Sequence, residues 1–228
     1  MSHGTSQVKV ENTAALGAKI VLVGEGSEER AARTRELVAL HGYIPVPPAD
    51  DRMIIAGQGT IGLEILEDLP DVDMVVAPVG GGGLISGIAI ALKLSRPEIR
   101  VIGVEPEFAA DAQASLRSGT VVRLSPVQTA RTAADGVRAQ QVGAIPFQHI
   151  QVFVDDIVTV SEEEIWEALR LLALRSRLIV EPSGAVAYAA YLFHRLELPT
   201  VHRTVIILSG GNVEAHVLAH ALTTPGPM

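Results

Sequence analysis

Residues 75–87 read Val-Val-Ala-Pro-Val-Gly-Gly-Gly-Gly-Leu-Ile-Ser-Gly, and no other stretch limits the possible folds as much. The β-branched start suits a buried strand. It breaks into Gly80, Gly81, Gly82 and Gly83, then into an apolar helix through Ile88, Ile90 and Leu92. Strand, glycine loop and helix together make an anion site. Glycines let backbone N–H groups turn inward and let a phosphate come close. The first helical turn adds unpaired N–H groups and the positive end of its dipole. A tight turn would need one or two glycines; four in a row favour the anion site.

The flanking sequence alternates strand and helix patterns. Gln7–Leu16 is a helix candidate with Gly17 at its C′ position. Lys19–Val23 and Tyr43–Val46 read as strands, with a helix between them capped by Ser27 and ended by Gly42. Ile55–Leu69 is helical, with Ile61, Ile65 and Leu69 on one face. Beyond the glycine loop come a strand at Val101–Val104, a short helix at Ala109–Arg117 and an irregular stretch from Ser118 to Phe147. A strand at Ile157–Val160 precedes a helix with a Ser161/Glu164 capping box that buries Ile165, Leu169 and Leu172. Glu181-Pro182-Ser183-Gly184 opens an alanine-rich helix. Thr204–Leu208 is a strand running into Ser209-Gly210-Gly211-Asn212, and Val213–Leu222 is a helix. This alternation predicts an α/β fold: βαβ units, a mainly parallel sheet and helices on both faces.

Composition narrows the function classes. The 228 residues are 48% hydrophobic and 19% charged, enough apolar surface for a large core. Net charge is −8 and no basic block occurs, which argues against a nucleic-acid partner. Cysteine is absent, so disulfides and thiolate metal sites are excluded, and a cytoplasmic enzyme is expected. Met74–Leu92 is apolar, but its four glycines and Pro78 speak against a membrane span. Met1–Gly4 shows no signal-peptide pattern.

In parallel sheets ligands sit beyond the carboxyl ends of the strands. Three loops stand out there: Gly80–Gly83, Glu105–Asp111 and Ser209–Asn212. Gly81-x-Gly83-x-x-x-Gly87 is a relaxed dinucleotide fingerprint with Glu105 in the ribose-binding place, but the strict G-x-G-x-x-G fails in every register. A phosphate loop paired with the Ser209 hydroxyl suits a phosphorylated pyridine such as pyridoxal phosphate, although composition does not force that choice. Glu105, the Ala109 carbonyl and Asp111 offer hard oxygen donors; spacing alone favours an acid-decorated helix start. His216 and His220 are four residues apart without a third ligand in view, which fits an exposed helix face.

Five ordered motifs carry a resemblance: Gly57-Gln58-Gly59-Thr60-Ile61, Pro78 to Gly87, Ala134-Asp135-Gly136, Glu181-Pro182-Ser183-Gly184 and Ser209-Gly210-Gly211-Asn212. From about Val8 to Asn212 the chain resembles the threonine dehydratases and serine racemases, which are fold-type II pyridoxal-phosphate enzymes of tryptophan synthase β-like architecture. The resemblance implies that Gly80, Gly81, Gly82 and Gly83 cradle the cofactor phosphate with the Leu84 amide. It implies that Ser209 bonds the pyridine nitrogen and that Gly136 and Glu181 lie beside the ring. Glu105, the Ala109 carbonyl and Asp111 match that family's divalent-cation site, for Mg²⁺, Ca²⁺ or Mn²⁺. The implied reaction removes water from serine or threonine to give a 2-oxo acid and ammonia; some members racemise serine or dehydrate 3-hydroxyaspartate.

One departure bears on activity. Family members carry a Schiff-base lysine near the N-terminus, followed by a Ser-Ser-Gly-Asn-His type loop for the substrate carboxylate, and neither is present here. The three lysines are Lys9, in the first helix, Lys19, at a strand start, and Lys93, roughly 15 Å along the helix from Gly83 at 1.5 Å per residue. None is expected to reach the ring. The sequence therefore reads as an N-terminally truncated member, with residues 1–50 the remainder of a small domain and 51–228 a large phosphate-binding domain. It is expected to be inactive alone, with no catalytic residue assigned, and either homo-oligomeric or docked to a missing N-terminal half. Half of a split enzyme and a non-catalytic binder of cofactor or partner are the alternatives, with a dinucleotide domain behind them.

Overall fold

In the computed structural model, which describes residues 1–24, 26–194 and 197–223, the strands form one parallel sheet. Their order is β3-β2-β1-β4, with β1 at Met74–Pro78, β2 at Arg100–Pro106, β3 at Asp156–Val160 and β4 at Thr204–Ile206. Helices α1 (Gln7–Ala15), α2 (Ser27–His41) and α3 (Arg52–Asp68) precede β1. They are followed by α4 (Gly83–Ser95), α5 (Asp111–Ser118), α6 (Pro126–Thr129), α7 (Ala144–Phe153), α8 (Glu162–Leu171), α9 (Pro182–Phe193) and α10 (Ala215–Thr223).

Strand alternation builds a core on each face of the sheet. Met74, Val76, Ile102, Val104, Val158 and Val160 pack with α8 and α9. Val75, Ala77, Val101 and Ile157 pack with α4 and α7 on the other side. Every residue of β1 is buried, as expected for a central parallel strand covered on both faces. The capping box forms: Ser161 Oγ accepts from the Glu164 amide at 3.2 Å, and Glu164 accepts from the Ser161 amide at 2.8 Å. Ile165, Leu169 and Leu172 are buried as the spacing predicts.

Gly87 explains the close packing of α3 on α4. A Cβ there would sit 2.3 Å from the Ile55 carbonyl oxygen and 2.6 Å from the Gly59 nitrogen. The two helices meet backbone to backbone, and that contact carries the glycine loop at the head of α4.

Some elements differ from expectation. Lys19–Val23 forms only a single parallel bridge, Val23 to Ser2, and Tyr43–Val46 forms no strand. Both have β-branched composition, but a strand exists only through a neighbour, and neither run has a ladder partner among the described residues; Ile44 is 88% exposed. The cap of α2 is Gly26, and Ser27 already belongs to the helix. Within Ser118–Phe147, Ala144 already opens α7: Pro146 looks like a breaker but lies in the first turn, where its missing N–H costs nothing. The Asp50 carboxylate accepts from the amides of Ala144 and Ile145 at 3.1 and 2.8 Å and so caps α7 from a distant loop. No helix of the described residues is long and apolar enough to cross a membrane.

Candidate functional site

The loop after β1 begins where the Val79 amide donates to the Val104 carbonyl at 2.8 Å, the last tie to β2. Gly82 then takes the N-cap position of α4 with φ +87°, a left-handed conformation that favours glycine. Gly81 has ordinary dihedral requirements but no room: a Cβ would lie 2.8 Å from the Ala49 Cβ. Its carbonyl accepts from the Gly143 amide at 3.1 Å. The loop is thus clamped from both sides. Among the described residues, the amides of Gly80, Gly81, Gly82, Gly83 and Leu84 donate to no protein acceptor. Five free donors at the positive end of a 13-residue helix are a cradle for a phosphate-sized anion.

These residues line a cleft of about 880 Å³ that also contains Gly136 and Ser209. Ser209 follows β4, the strand beside β1, so the sheet itself sets the glycine loop and this hydroxyl side by side. Glu181 lies behind them. Its amide donates to the Gly210 carbonyl at 3.0 Å, and a Cβ on Gly210 would fall 2.6 Å from Glu181 Oε1. The Gly136 amide donates to Ser183 Oγ at 2.8 Å. The Glu181–Gly184 motif therefore ties together the two loops holding Gly136 and Ser209.

The lysines contain a correction. Lys9 lines this same cleft, whereas the sequence placed it out of reach. Helix α1 lies over the loops, and Lys9 Nζ bonds both oxygens of Asp135, at 2.8 and 2.9 Å, and lies 3.2 Å from Glu181 Oε2. Burial alone would lower its pKa, but the Asp135 hydrogen bond and charge, joined by Glu181, outweigh it and hold the pKa above the ordinary value. Lys9 is a firmly protonated ammonium. Lys19 lines a different cavity, beside Arg33 and Leu37. Lys93 pairs with Asp155 at 2.8 Å, just ahead of β3 and far from the carboxyl ends of the strands. Asp135 was legible as an acid inside a motif, yet nothing in sequence showed that its partner would come from α1.

Glu105, Ala109 and Asp111 are all fully buried. Glu105 accepts from the amides of Ala112 and Gln113 at 3.0 and 2.7 Å, which leaves it closed to a ribose. Both carboxylate oxygens of Asp111 are buried without a hydrogen-bond partner. Burial pushes Asp111 up to about 7. Burial, together with the negative charge of Asp111, pushes Glu105 well above the carboxylate range. Two buried acids, one with orphaned oxygens, fit the donor chemistry of a hard cation, which would remove both penalties. No group of three or more His, Cys, Asp or Glu side chains suited to a metal occurs among the described residues, so further ligands would be carbonyls or water. His216 pairs with Glu214 at 3.1 Å and His220 stacks edge-on against Trp166, in keeping with the helix-face reading.

A parallel α/β sheet with a clamped glycine loop and a hydroxyl in the same cleft has the donor chemistry that suits a phosphorylated ring. The chain belongs to the pyridoxal-phosphate dependent enzyme family, whose profile matches residues 1–210. It is 44% identical over 215 residues to the catabolic L-threonine dehydratase TdcB of Escherichia coli K12, covering 94% of this chain and 64% of that protein. It is 36% identical to the serine racemase of Schizosaccharomyces pombe, covering 95% of this chain and 66% of the relative. Maize serine racemase superposes with a TM-score of 0.89 at 32% identity, over 97% of this chain and 67% of that one. The processed threonine deaminase isoform 2 of Solanum lycopersicum gives 0.87 at 39% identity, over 97% and 64%. The fold-type II architecture expected from the sequence is thereby established, and the chain spans about 64% of the length of the first of these relatives.

Proposed function

We propose that the cleft holds pyridoxal 5′-phosphate and that the chain is part of the machinery of a serine/threonine dehydratase or serine racemase acting on a β-hydroxy amino acid. The observation that carries this reading is the run of unpaired amides from Gly80 to Leu84 facing Ser209 across one cleft. The amides of Gly80, Gly81, Gly82, Gly83 and Leu84 would hold the phosphate, Ser209 Oγ would donate to the pyridine nitrogen, and Gly136 and Glu181 would lie beside the ring. When bound, the cofactor supplies an electron sink for charge developing at the substrate α-carbon. Lys9, held protonated by Asp135 and Glu181, can neutralise negative charge but cannot take up a proton. A cysteine-free chain of this kind suits the cytoplasm.

Binding is expected to be reversible and without a bond to lysine. Reduction with borohydride in the presence of pyridoxal phosphate, followed by intact-mass measurement, should leave the chain at its own mass. A stoichiometric adduct mapped to Lys9 would show that the Asp135 and Glu181 pairing yields to the cofactor.

The cation site of Glu105, the Ala109 carbonyl and Asp111 is part of the same proposal. Millimolar Mg²⁺, Ca²⁺ or Mn²⁺ should raise Tm by roughly 3–8 °C through linkage. Burial pushes the Asp111 carboxyl up to about 7. Below that pH a cation must displace its proton, so the rise should grow from pH 6 to pH 8. Asp111→Asn should erase it; an equal rise in the variant would reduce the three residues to a buried acidic turn.

A further inference from the structure

Helix α1 is held by polar contacts along its length. None of its residues is buried. Its own N-cap, Ser6, makes no capping bond; instead Ser6 Oγ and the Gln7 amide both donate to one oxygen of Glu214, at 2.7 and 2.8 Å, from 208 and 207 residues away. One turn on, Lys9 reaches Asp135 and Glu181. Near the far end, Asn12 Nδ2 donates to Asn212 Oδ1 at 3.3 Å. Each anchor lies near a residue of the cleft: Asp135 precedes Gly136, Glu181 abuts Gly210, the neighbour of Ser209, and Asn212 and Glu214 follow Ser209 closely. Ser2, Thr5 and Lys9, on and before α1, form part of the cleft wall.

We infer that α1 is a polar strap across the cleft and that Glu214, by capping it from the far end of the chain, is the residue that keeps it closed. A nine-residue helix is too short to be stable without tertiary support. With no apolar face buried, its support is hydrogen bonds and ion pairs, which break one at a time. Removing a cap of this kind should raise the population of the open strap about tenfold, the size of effect typical for one charge-assisted cap. Opening leaves both sheet cores untouched, because none of their residues belongs to α1. The entry of small anions into the cleft would then follow the opening of α1.

Hydrogen-exchange mass spectrometry on the whole chain tests this. In Glu214→Ala the amides of Val10–Ala15 should exchange about ten times faster than in the wild type, while peptides of β1 and α4 keep their rates. Ser6→Ala should move the same amides in the same direction by less. Unchanged exchange in Glu214→Ala, or acceleration spread over β1 and α4 as well, would overturn the strap. A second arm rests on the cofactor reading: in stopped-flow mixing with pyridoxal phosphate, association and dissociation should both speed up in Glu214→Ala. Unaltered rates beside faster exchange would overturn the gating role. If neither protein binds pyridoxal phosphate, the cofactor reading fails and, with it, the gating role, while the exchange arm still decides the strap.

Discussion

Supplied with pyridoxal phosphate and Mg²⁺, the isolated 228-residue chain is expected to form no 2-oxo acid from L-serine or L-threonine above the rate of free cofactor. The reaction must take a proton from the α-carbon and expel the β-hydroxyl, and it needs a base within hydrogen-bond reach of that carbon. The nearest candidate amine is Lys9, and it is the wrong kind. Its ammonium carries two carboxylate partners within 3.2 Å and a raised pKa. A protonated amine donates; it does not abstract. Asp135 and Glu181 are in turn occupied by Lys9. General acid–base assistance of this kind is typically worth about 10²–10⁴-fold, and a nucleophile toward the cofactor carbonyl must be a free amine, whereas Lys9 and Lys93 are held in ion pairs and Lys19 lines a different cavity. Under the proposed function, phosphate binding and ring placement would remain, and they hold without reacting. A coupled 2-oxo acid assay with both amino acids reads the result. Turnover that disappears in Lys9→Met but survives in Lys19→Met would show that Lys9 sheds its proton in the working complex.

The grouping of Gly80–Leu84 and Ser209 in one cleft was legible in the sequence because it is built at strand ends. The glycine run and Ser209 follow the carboxyl ends of β1 and β4, offer amides and a hydroxyl there, and are brought together by the parallel pairing of those strands. Helix α8 was legible to its cap because Ser161, Glu164 and the 3.6-residue apolar spacing agree. What was not legible depends on tertiary partners. Lys19–Val23 and Tyr43–Val46 have strand composition, but pairing decides strands, and only Val23 finds even a bridge. The sequence places Lys9 in the first helix and out of reach of the ring; its place in the cleft depends on tertiary partners, Asp135 and Glu181, that spacing does not reveal. The burial of Asp111 likewise comes from packing: spacing favoured an acid-decorated helix start, and the orphaned carboxylate became apparent only in three dimensions.

The claim at the centre of this account is that the Gly80–Leu84 amides bind a phosphate, and an equilibrium titration tests it most directly. Pyridoxal phosphate and pyridoxal differ only in the group those amides would hold. Gly81 is the place to interfere: Gly81→Asp brings a negative charge to the anion site, and Gly81→Ala, whose Cβ would lie 2.8 Å from the Ala49 Cβ and force a small shift there, separates that crowding from the charge. Charge-assisted bonds from several amides are worth about 1.5–3 kcal/mol each, so loss of the phosphate or its repulsion should cost at least roughly a hundredfold in affinity. Followed by cofactor absorbance and competition with inorganic phosphate, the account predicts one saturable site for pyridoxal phosphate. It predicts no detectable binding of pyridoxal, modest weakening in Gly81→Ala and near-complete loss in Gly81→Asp. Equal binding of pyridoxal and pyridoxal phosphate, or full affinity retained by Gly81→Asp, would contradict it.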